Sequence, residues 1–374
     1  AATDIEAFSI AGGLVGSQGP GIYDSATRTR GTSSVDNSYA TGTIKVTVDP
    51  ASGSAGGLVG MLDGSIRNSY STVIINDTLA GLIGSWTQGV LADVYYANTN
   101  PDGTSLDAVG FNYGGRSWAE MTQLDTFSTW GNDIDAEGGT GSIWRIYEGH
   151  TGPLLRRFLT VLEVTGEDTV TTYDGTEQSG SWSATGEYDA ERIYGQPARG
   201  KNAGSYTLDM DNLYSDQQGY DLITNGGGTL TINKAQATVT ANSGTTTYNG
   251  TEQSVSGFTV EGLVNGEDAS VLSGVSASGG KGTNAGSYTL TASGTDGNYE
   301  LTFVDGTLTI NKAQATVTAN SGTTTYNGTE QSVSGFTVDG LVNGEDQSVL
   351  TGVTTSGGKG TNAGSYTLTT SGSD

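Results

Sequence analysis

Hydrophobic and polar residues alternate along the second half of the chain. Between residues 237 and 241, alanine and valine alternate with threonine, and leucine and isoleucine do so between residues 307 and 310. A period of two residues places the apolar side chains on one face, so the pattern predicts half-buried antiparallel strands. An Asn-Gly pair follows Tyr248 and Tyr326 and predicts a tight turn, because both residues tolerate positive φ. Short strands joined by turns are therefore expected, with one helical turn at residues 266–272.

A segment of 78 residues is repeated in this half. A run of 21 residues that begins at Lys234 is identical to the run that begins at Lys312, and 312 − 234 = 78. A diverged copy starts earlier, where Tyr173-Asp-Gly-Thr-Glu-Gln-Ser179 matches the run from Tyr248. We therefore predict three small β domains, called here the first repeat (161–233), the second repeat (234–311) and the third repeat (312–374).

The ends of the repeats carry two further expectations. Asp374 aligns with Asp296, because 374 − 78 = 296, so the third repeat is expected to be truncated and to lack its last strands. The run 307–318 crosses a repeat boundary without Gly or Pro. A flexible linker is rich in Gly and Ser. The last strand of one repeat is therefore expected to continue into the first strand of the next, which makes a semi-rigid stalk.

A different repeat occupies the first 116 residues. Ala11-Gly-Gly-Leu-Val-Gly16 recurs at residues 55–60 and, with one Gly fewer, at residues 80–84. The last two copies are 81 − 57 = 24 residues apart, which is a repeat length typical of solenoid coils. We therefore predict a right-handed parallel β-solenoid at residues 1–116, incomplete at its N-terminus, with residues 21–32 as a loop inserted into the first coil.

Each copy of this motif supplies an apolar pair and is followed by a tyrosine. The pairs are Leu14/Val15, Leu58/Val59 and Leu82/Ile83, and the tyrosines are Tyr39, Tyr70 and Tyr95. Equivalent positions of successive coils lie above one another in a solenoid. The pairs are therefore expected to stack inside, and the tyrosines are expected to form a ladder from coil to coil.

Residues 117–160 differ from both repeat families. They are rich in bulky aromatic residues, including Trp118, Trp130 and Trp144, and residues 118–124 are the best helix candidate in the chain. The end of a solenoid exposes unpaired backbone and must be covered. Residues 117–160 are therefore predicted to be the C-terminal cap of the solenoid, and they are called the cap below.

Composition restricts the classes of protein that fit this organisation. The 374 residues include 60 Gly and no Cys, and hydrophobic residues make up 34%, which favours thin β folds over a thick helical or α/β core. The net charge is −25, so a basic surface for nucleic acid is missing. No run approaches the ~20 apolar residues of a membrane span. We therefore expect no nucleic-acid partner and no membrane span, and we expect any export signal to lie outside this sequence.

The sequence offers little for catalysis. His150 is the single histidine, cysteine is absent and no Gly-x-Ser-x-Gly motif occurs, so neither a catalytic triad nor a zinc site is expected. Asp93, Asp102 and Asp107 are the carboxylates that a polysaccharide-cleaving enzyme would use. They stand among Asn, Thr, Pro and Gly, which is typical of a polar loop. We therefore predict no enzyme, no catalytic residue, no metal ligand and no cofactor.

Two recurring features of the repeats have more than one interpretation. The pairs Glu267-Asp268 and Glu345-Asp346 are interpreted as helix-start or turn acids, with calcium ligands as the alternative. Lys234 and Lys312 each follow an Asn and are interpreted as solvated strand ends, with a Lys–Asn cross-link as the alternative.

Trp86 is the candidate ligand-binding residue. It stands in Gly84-Ser-Trp-Thr-Gln-Gly89, which reads as a turn between coils. An exposed indole stacks well on a sugar ring, whereas single aromatic residues usually pack into a corner of the core. Both interpretations stay open at this point.

Two motifs resemble known families of bacterial surface proteins. Ala-Gly-Gly-Leu-Val-Gly followed by Asn37-Ser-Tyr-Ala-Thr41 resembles the GLUG motif, and the cap resembles the closing segment that often follows GLUG coils. Tyr-Asn-Gly-Thr at 248–251, Asn-Ala-Gly-Ser-Tyr at 284–288 and Gly-Thr-Leu-Thr-Ile at 306–310 resemble the MBG repeat, a mostly β-grasp domain. The resemblance implies an all-β chain, in which a right-handed parallel β-solenoid with a C-terminal cap is followed by a linear array of small β-grasp-like domains.

A GLUG solenoid that leads into MBG repeats is similar to large biofilm-matrix adhesins of the two-partner-secretion type. The resemblance implies export through an outer-membrane partner of a Gram-negative bacterium and an extracellular location, at the cell surface or in the biofilm matrix. It also implies contact with exopolysaccharide or with another copy of the adhesin. The implied function is a structural segment of a long secreted adhesin that supports cell–cell or cell–matrix adhesion. The alternative is a carbohydrate-binding module that recognises an exopolysaccharide through the solenoid.

Overall fold

The computed structural model describes residues 2–7, 10–12, 14–18, 23–24, 29–30, 33–46, 54–77, 79–108, 110–111 and 113–374. Most of the regular structure is β-strand, and the described residues contain one α-helix, so the predicted all-β class is confirmed. The chain divides into two compact units. The first unit is Ala1–Thr169 with Ser179–Arg199 and Tyr206–Leu230, and the second is Val170–Gln178 with Gly200–Ser205 and Thr231–Asp374. The predicted domain boundaries at residues 116, 160, 233 and 311 stay predictions.

The strands before the cap pair in parallel between successive copies of the first motif. They are β1 (Ala2–Ala7), β2 (Ile10–Gly12), β3 (Val15–Gln18), β4 (Tyr23–Asp24), β5 (Thr29–Arg30), β6 (Ser34–Asp36), β7 (Tyr39–Val46), β8 (Ser54–Gly56), β9 (Val59–Asp63), β10 (Ser65–Ile75), β11 (Leu79–Ala80), β12 (Ile83–Gln88), β13 (Leu91–Ala97), β14 (Asp107–Ala108) and β15 (Gly115–Arg116). β10 is parallel to β7 and β13, and β9 is parallel to β3 and β12. The sheets are small and also contain antiparallel pairs, β10–β11 and β4–β5, so a right-handed solenoid stays a prediction.

The apolar pairs of the first motif form the core of this part. Leu58, Val59, Leu82 and Ile83 are fully buried, as the sequence predicts. The prediction is wrong for Leu14, whose side chain is 39% exposed. The adjoining strand β3 lies at the edge of its three-stranded sheet, so this coil has a neighbour on one side instead of two. The side chain of Val15 lies outside the described residues.

The predicted tyrosine ladder is present. Tyr70 is in register with Tyr39 and with Tyr95 on the neighbouring strands, and the rings of Tyr39 and Tyr70 stack with their centroids 5.4 Å apart. Buried rings of the cap pack on this ladder, with centroid distances of 5.1 Å between Tyr95 and Phe127 and 5.9 Å between Tyr70 and Trp144. The aromatic residues of the cap therefore cover the ladder, which explains their concentration in this segment.

The cap starts with the predicted helix, which is shorter than expected. In α1 (Trp118–Met121) the Ser117 hydroxyl accepts from the Glu120 N–H, and the Glu120 carboxylate accepts from the Ser117 N–H, a capping box that starts a helix. The helix ends three residues before position 124, because the Thr122 hydroxyl donates to the carbonyl three residues earlier and competes with the next helical bond. The rest of the cap is a 3-10 segment (Leu124–Asp133), β16 (Ile134–Asp135), β17 (Trp144–Arg145), β18 (Leu154–Leu155) and a 3-10 turn (Arg156–Phe158).

One buried hydroxyl ties the ladder to the cap. Tyr70 is 3% exposed, and its hydroxyl donates to the Pro153 carbonyl over 2.6 Å, while burial raises the pKa of Tyr70 well above its ordinary value. Tyr70→Phe removes this donor and is expected to lower the free energy of unfolding by about 1–3 kcal/mol. Thermal unfolding, compared with Tyr113→Phe at an exposed ring, measures the effect. Equal midpoints for the two variants would contradict the prediction.

The first repeat contributes a three-stranded sheet to the first unit. Its strands are β19 (Thr160–Glu167), β20 (Thr169–Thr172), β21 (Gln178–Ser179), β22 (Ser181–Ala184), β23 (Ile193–Tyr194), β24 (Arg199–Gly200), β25 (Gly204–Thr207), β26 (Tyr214–Ser215), β27 (Tyr220–Asn225) and β28 (Thr229–Asn233), with 3-10 turns at Ala190–Arg192 and Met210–Asn212. β19 lies between β22, which is antiparallel to it, and β27, which is parallel to it. Leu162 and Val164 of β19 are buried while their neighbours are exposed, so the period of two extends to this repeat.

The second repeat has the same arrangement around its first strand. Its strands are β29 (Ala235–Ala241), β30 (Gly244–Thr247), β31 (Gln253–Ser254), β32 (Phe258–Glu261), β33 (Val275–Gly279), β34 (Lys281–Gly282), β35 (Gly286–Gly294), β36 (Tyr299–Val304) and β37 (Gly306–Asn311), with a 3-10 turn at Ala269–Val271. β29 lies between antiparallel β32 and parallel β36. Ala237, Val239 and Ala241 are buried, and the 3-10 turn lies in the segment predicted to form one helical turn, so both expectations are confirmed.

The third repeat departs from the prediction at its first strand. Its strands are β38 (Thr316–Ala319), β39 (Gln331–Ser332), β40 (Phe336–Asp339), β41 (Val353–Gly357), β42 (Lys359–Gly360) and β43 (Leu368–Gly372), with a 3-10 turn at Gln347–Val349. One residue separates β28 from β29, but residues 312–315 separate β37 from β38, so the predicted continuous strand is wrong at this second boundary. In the second repeat Ala235–Ala237 pair with Tyr299–Leu301 of β36. The described residues of the third repeat contain no counterpart of β36, so residues 313–315 have no ladder to join.

Candidate functional site

Trp86, the predicted ligand-binding residue, lies in β12 and is half-buried. Its ring meets Phe111 edge to face, with the centroids 5.7 Å apart, and its N–H donates to the Gln88 carbonyl over 2.7 Å. The Gln88 amide in turn donates to the Asp63 carboxylate over 2.5 Å. The strand position differs from the predicted turn. These contacts hold the ring in place whether or not a ligand binds.

The three candidate catalytic carboxylates have separate local roles. Asp93 lies in β13, and its carbonyl accepts from the Trp130 indole over 2.8 Å. Asp102 accepts from the Thr104 N–H, a bond that lowers the pKa of the Asp102 carboxyl, and Asp107 is exposed in β14. A lowered pKa is the opposite of what a general acid near neutral pH requires. Within the described part of the chain, no group of three or more His, Asp and Glu residues is placed to hold a metal ion.

The single histidine and the recurring lysines make structural contacts. His150 stacks on Tyr214, with the ring centroids 4.4 Å apart and the planes at 8°. The Lys234 ammonium donates to the Asp296 carbonyl over 2.7 Å, and Lys312 makes the equivalent bond 78 residues further on. Both lysines are exposed beside a strand end, as the sequence predicts, and each also donates to a carbonyl 62 residues further along the chain.

The recurring acidic pairs divide into two roles. Asp268 accepts from the Ser270 N–H at the start of a 3-10 turn, and Asp346 does the same in the third repeat. Hydrogen bonds from Ser270, through its side chain and its backbone, lower the pKa of Asp268. This is the turn role that the sequence suggests. Glu267 and Glu345 instead accept from tyrosine hydroxyls.

Glu267 is shared by two repeats. One of its oxygens accepts from the Tyr173 hydroxyl over 2.6 Å, and the other accepts from the Tyr299 hydroxyl over 2.5 Å. Tyr173 opens the Tyr-Asp-Gly turn of the first repeat and Tyr299 opens β36 of the second, and both are almost fully buried. The Tyr299 oxygen also accepts from the Val264 N–H over 3.0 Å. The same carboxylate therefore supports the fold of its own repeat and the contact with the preceding turn.

A glycine two residues after Tyr173 completes the contact. The Asn265 amide donates to the Gly175 carbonyl over 3.2 Å. A Cβ atom placed on Gly175 would lie 2.7 Å from the Asn265 Cβ, and Gly175 has a φ of +77°. Only glycine meets both conditions without strain, so the Tyr-x-Gly turn and the Asn-Gly-Glu turn fit each other closely.

The same contact occurs again between the second and third repeats. The Tyr248 hydroxyl donates to Glu345, and the Asn343 amide donates to the Gly250 carbonyl over 3.1 Å. A Cβ atom placed on Gly250 would lie 2.5 Å from the Asn343 Cβ. We call this arrangement, a Tyr-x-Gly turn of one repeat bound by the Asn-Gly-Glu turn of the next, the repeat joint.

The joints raise the pKa of the tyrosines that form them. The hydrogen bond to Glu267 raises the pKa of Tyr173 to about 12, and burial followed by the same carboxylate raises the pKa of Tyr299 to about 12. The bond to Glu345 also raises the pKa of Tyr248. The hydroxyls therefore stay protonated, and able to donate, over the whole neutral range.

A buried ion network joins the cap to the first repeat. The Arg156 guanidinium donates to Asp221 over 2.5 Å and to Asp135 over 2.7 Å. Arg145 lies 3.6 Å from the other oxygen of Asp221, and the Gly139 N–H donates to Asp221 over 2.9 Å. The Asp221 side chain is 1% exposed, and those of Arg145 and Arg156 are 6% and 9% exposed. The buried Asp221 carboxylate thus forms ion pairs with two arginines and accepts a hydrogen bond from a backbone N–H.

Sequence reasoning missed both junctions. It assigned Glu267 to a turn, although Tyr-x-Gly and Asn-Gly-Glu recur with the same 78-residue period, which was the available signal for pairing them. Asp221 was not singled out, because the equivalent residue of the second repeat is Glu300. Glu300 is exposed, and its carboxylate accepts from the Gln236 amide.

Comparison with known proteins gives one family for the repeats. The sequence model of the MBG domain (YGX type) family matches residues 237–309 and 315–374. No curated protein and no solved structure matches the chain. No helix among the described residues is long and apolar enough to span a membrane. This match supports the resemblance of the second and third repeats to the MBG repeat.

Proposed function

We propose that this chain is a structural segment of a long secreted surface adhesin, in which a β-solenoid leads into a semi-rigid stalk of MBG repeats. Its role is to support cell–cell or cell–matrix adhesion in the biofilm of a Gram-negative bacterium, outside the cell and without enzymatic activity. MBG domains are found in adhesin-like repeat proteins, which supports this class. Exopolysaccharide or another adhesin copy is the proposed partner, and an outer-membrane protein is the proposed exporter.

The repeat joint is the observation that carries this proposal. A stalk transmits force only if neighbouring domains are fixed to each other by more than a peptide linkage. Each joint adds a charge-assisted hydrogen bond, which is stronger than a neutral one, together with a close contact between two turns. The joint occurs twice with the same partners, so it belongs to the repeat itself.

The stacked motifs of residues 1–116 support the solenoid part of the proposal. Strands of successive copies are parallel and in register, and the cap covers the tyrosine ladder at 5.1–5.9 Å between ring centroids. Parallel stacking with a covered end is the organisation of a repeat array that avoids edge-to-edge association. We propose that these coils form a right-handed solenoid of the GLUG type.

Small-angle scattering of the full chain tests the stalk. We expect the distribution of interatomic distances to be the same with calcium and with a chelator, because hydrogen bonds from tyrosine hydroxyls and asparagine amides make the joints. We expect it to broaden in the double variant Glu267→Ala/Glu345→Ala. The matched control is Glu252→Ala/Glu330→Ala, which removes the same charge at two exposed positions of the same repeats. Collapse on chelation, or equal curves for the two double variants, would contradict the proposal.

The second candidate function is carbohydrate binding, which rests on the surroundings of Trp86. The ring is half-buried against Phe111, and the polar pair Gln88 and Asp63 lies beside it, an arrangement of an aromatic face and hydrogen-bonding groups that suits a sugar. A glycan array probed with the full chain tests it. If a glycan binds, Trp86→Ala abolishes the signal and Trp182→Ala, at a half-buried indole of the first repeat, retains it. A silent array would contradict this second function.

A further inference from the structure

The Tyr-x-Gly turn of the third repeat is built like the two occupied ones. Asn327 accepts from the N–H and the hydroxyl of Thr329 over 3.0 and 2.8 Å, as Asn249 does from Thr251 over 3.0 and 2.9 Å. The Gln331 amide donates to the carbonyl six residues earlier over 2.9 Å, and this bond is present in the other two repeats as well. The turn therefore has its binding conformation before anything contacts it.

Its contact surface is open. Tyr326 is 63% exposed, whereas Tyr173 at the equivalent position is 4% exposed. Gly328 has a φ of +79°, and a Cβ atom placed on it would meet no atom of the described chain within 4 Å. At Gly250 the same atom would collide with Asn343. The third repeat thus presents the donor half of a joint, and no described residue contacts it as Asn343 contacts Gly250.

We propose that the turn Tyr326-Asn327-Gly328 is a docking surface for the Asn-Gly-Glu turn of a further MBG repeat joined in series. The glutamate of that turn accepts from the Tyr326 hydroxyl, and its asparagine amide donates to the Gly328 carbonyl. This inference rests on the two observed joints and does not depend on the role in adhesion.

A second copy of this chain is a poor occupant. The sequence contains Asn-Gly-Glu at residues 265–267 and 343–345, and both turns already bind a tyrosine of the same chain. In the first repeat, Asp189 caps the 3-10 turn as Asp268 does in the second, but the residue before it is Tyr188 instead of a glutamate. The surface therefore selects a repeat that supplies an unused glutamate.

A chain lengthened by one period tests the inference. A second copy of residues 297–374 is placed directly after Asp374, which continues the period because Asp374 aligns with Asp296. A shorter extension with a copy of residues 297–311 is the matched control, since it adds the last strands of the third repeat but no Asn-Gly-Glu turn. Hydrogen exchange at the amides of residues 329–333 reports opening of the turn.

We expect exchange at these amides to slow by about tenfold in the long extension relative to the short one, as a charge-assisted hydrogen bond implies. Tyr326→Phe, or Glu345→Gln in the appended copy, should return the rate to that of the short extension. Tyr366→Phe, at an exposed ring whose hydroxyl bonds locally to Asn362, should leave it unchanged. Equal exchange in the two extensions, or no effect of Tyr326→Phe in the long one, would overturn the proposal.

Discussion

Asp221→Asn is expected to lower the unfolding free energy of the first unit by about 3–5 kcal/mol, because it leaves buried arginines without their counter-charge. The Asp221 carboxylate is 1% exposed and is 2.5 Å from Arg156 and 3.6 Å from Arg145. Asparagine keeps the shape of the side chain and removes the charge. Arg156 then keeps its ion pair with Asp135, whereas Arg145 loses the carboxylate that it faces.

Tryptophan fluorescence during denaturant unfolding measures this effect selectively. The five tryptophans, at residues 86, 118, 130, 144 and 182, all belong to the first unit. The control is Asp216→Asn, which breaks the pair with Arg192 at side chains that are 41% and 37% exposed. An exposed pair of this kind contributes about 0–1 kcal/mol. An equal loss of unfolding free energy in Asp221→Asn and Asp216→Asn would show that the buried network contributes no more to stability than an exposed ion pair.

Glu267→Ala is the second large change, with an expected loss of about 3–5 kcal/mol from the second unit, because two buried hydroxyls lose a charged acceptor. Tyr173 and Tyr299 are 4% and 2% exposed, so water does not replace the carboxylate easily. Circular dichroism in the β region follows this transition, and the tryptophan signal of the first unit provides an internal reference. Glu252→Ala, at an exposed residue of the same repeat, should change stability by less than about 0.5 kcal/mol.

The same joint should weaken in alkaline solution. Tyr173 and Tyr299 have their pKa raised to about 12, above the value of about 10 for tyrosine in an unfolded chain. A raised pKa means that the folded state favours the protonated hydroxyl, so the contribution is complete below pH 10 and is lost between pH 10 and 12. The double variant Tyr173→Phe/Tyr299→Phe should lose this part of the pH dependence. An unchanged slope of stability against pH in that variant would argue against the joint.

Local patterns predicted the elements well, because alternation and register are properties of neighbouring residues. The threonine-rich alternation at residues 237–241 gave the correct buried face, and the spacing of Tyr70 from Tyr39 and Tyr95 gave a ladder that the strands place in register. The start of the helix at Trp118 could be predicted from its local sequence. Its early end could not be predicted, because it depends on the Thr122 hydroxyl, which competes with the backbone for a hydrogen bond.

Contacts between segments far apart in the sequence were beyond such patterns. Glu267 binds tyrosines that are 94 and 32 residues away, and a carboxylate in a polar turn gives no local sign of this. Asp221 has an exposed Glu300 as its counterpart in the next repeat, so its burial depends on the cap and not on the repeat. The predicted continuous strand at residue 312 failed for the same reason, since a strand requires a partner as well as β-forming residues.

Each 78-residue period carries both halves of the joint, the Tyr-Asn-Gly turn and the Asn-Gly-Glu turn, at fixed positions. Loss or duplication of a whole period in the gene therefore preserves the contact between the repeats that become neighbours. The geometry of one carboxylate and one glycine thus allows the number of domains to change without any change in the sequence of a single repeat.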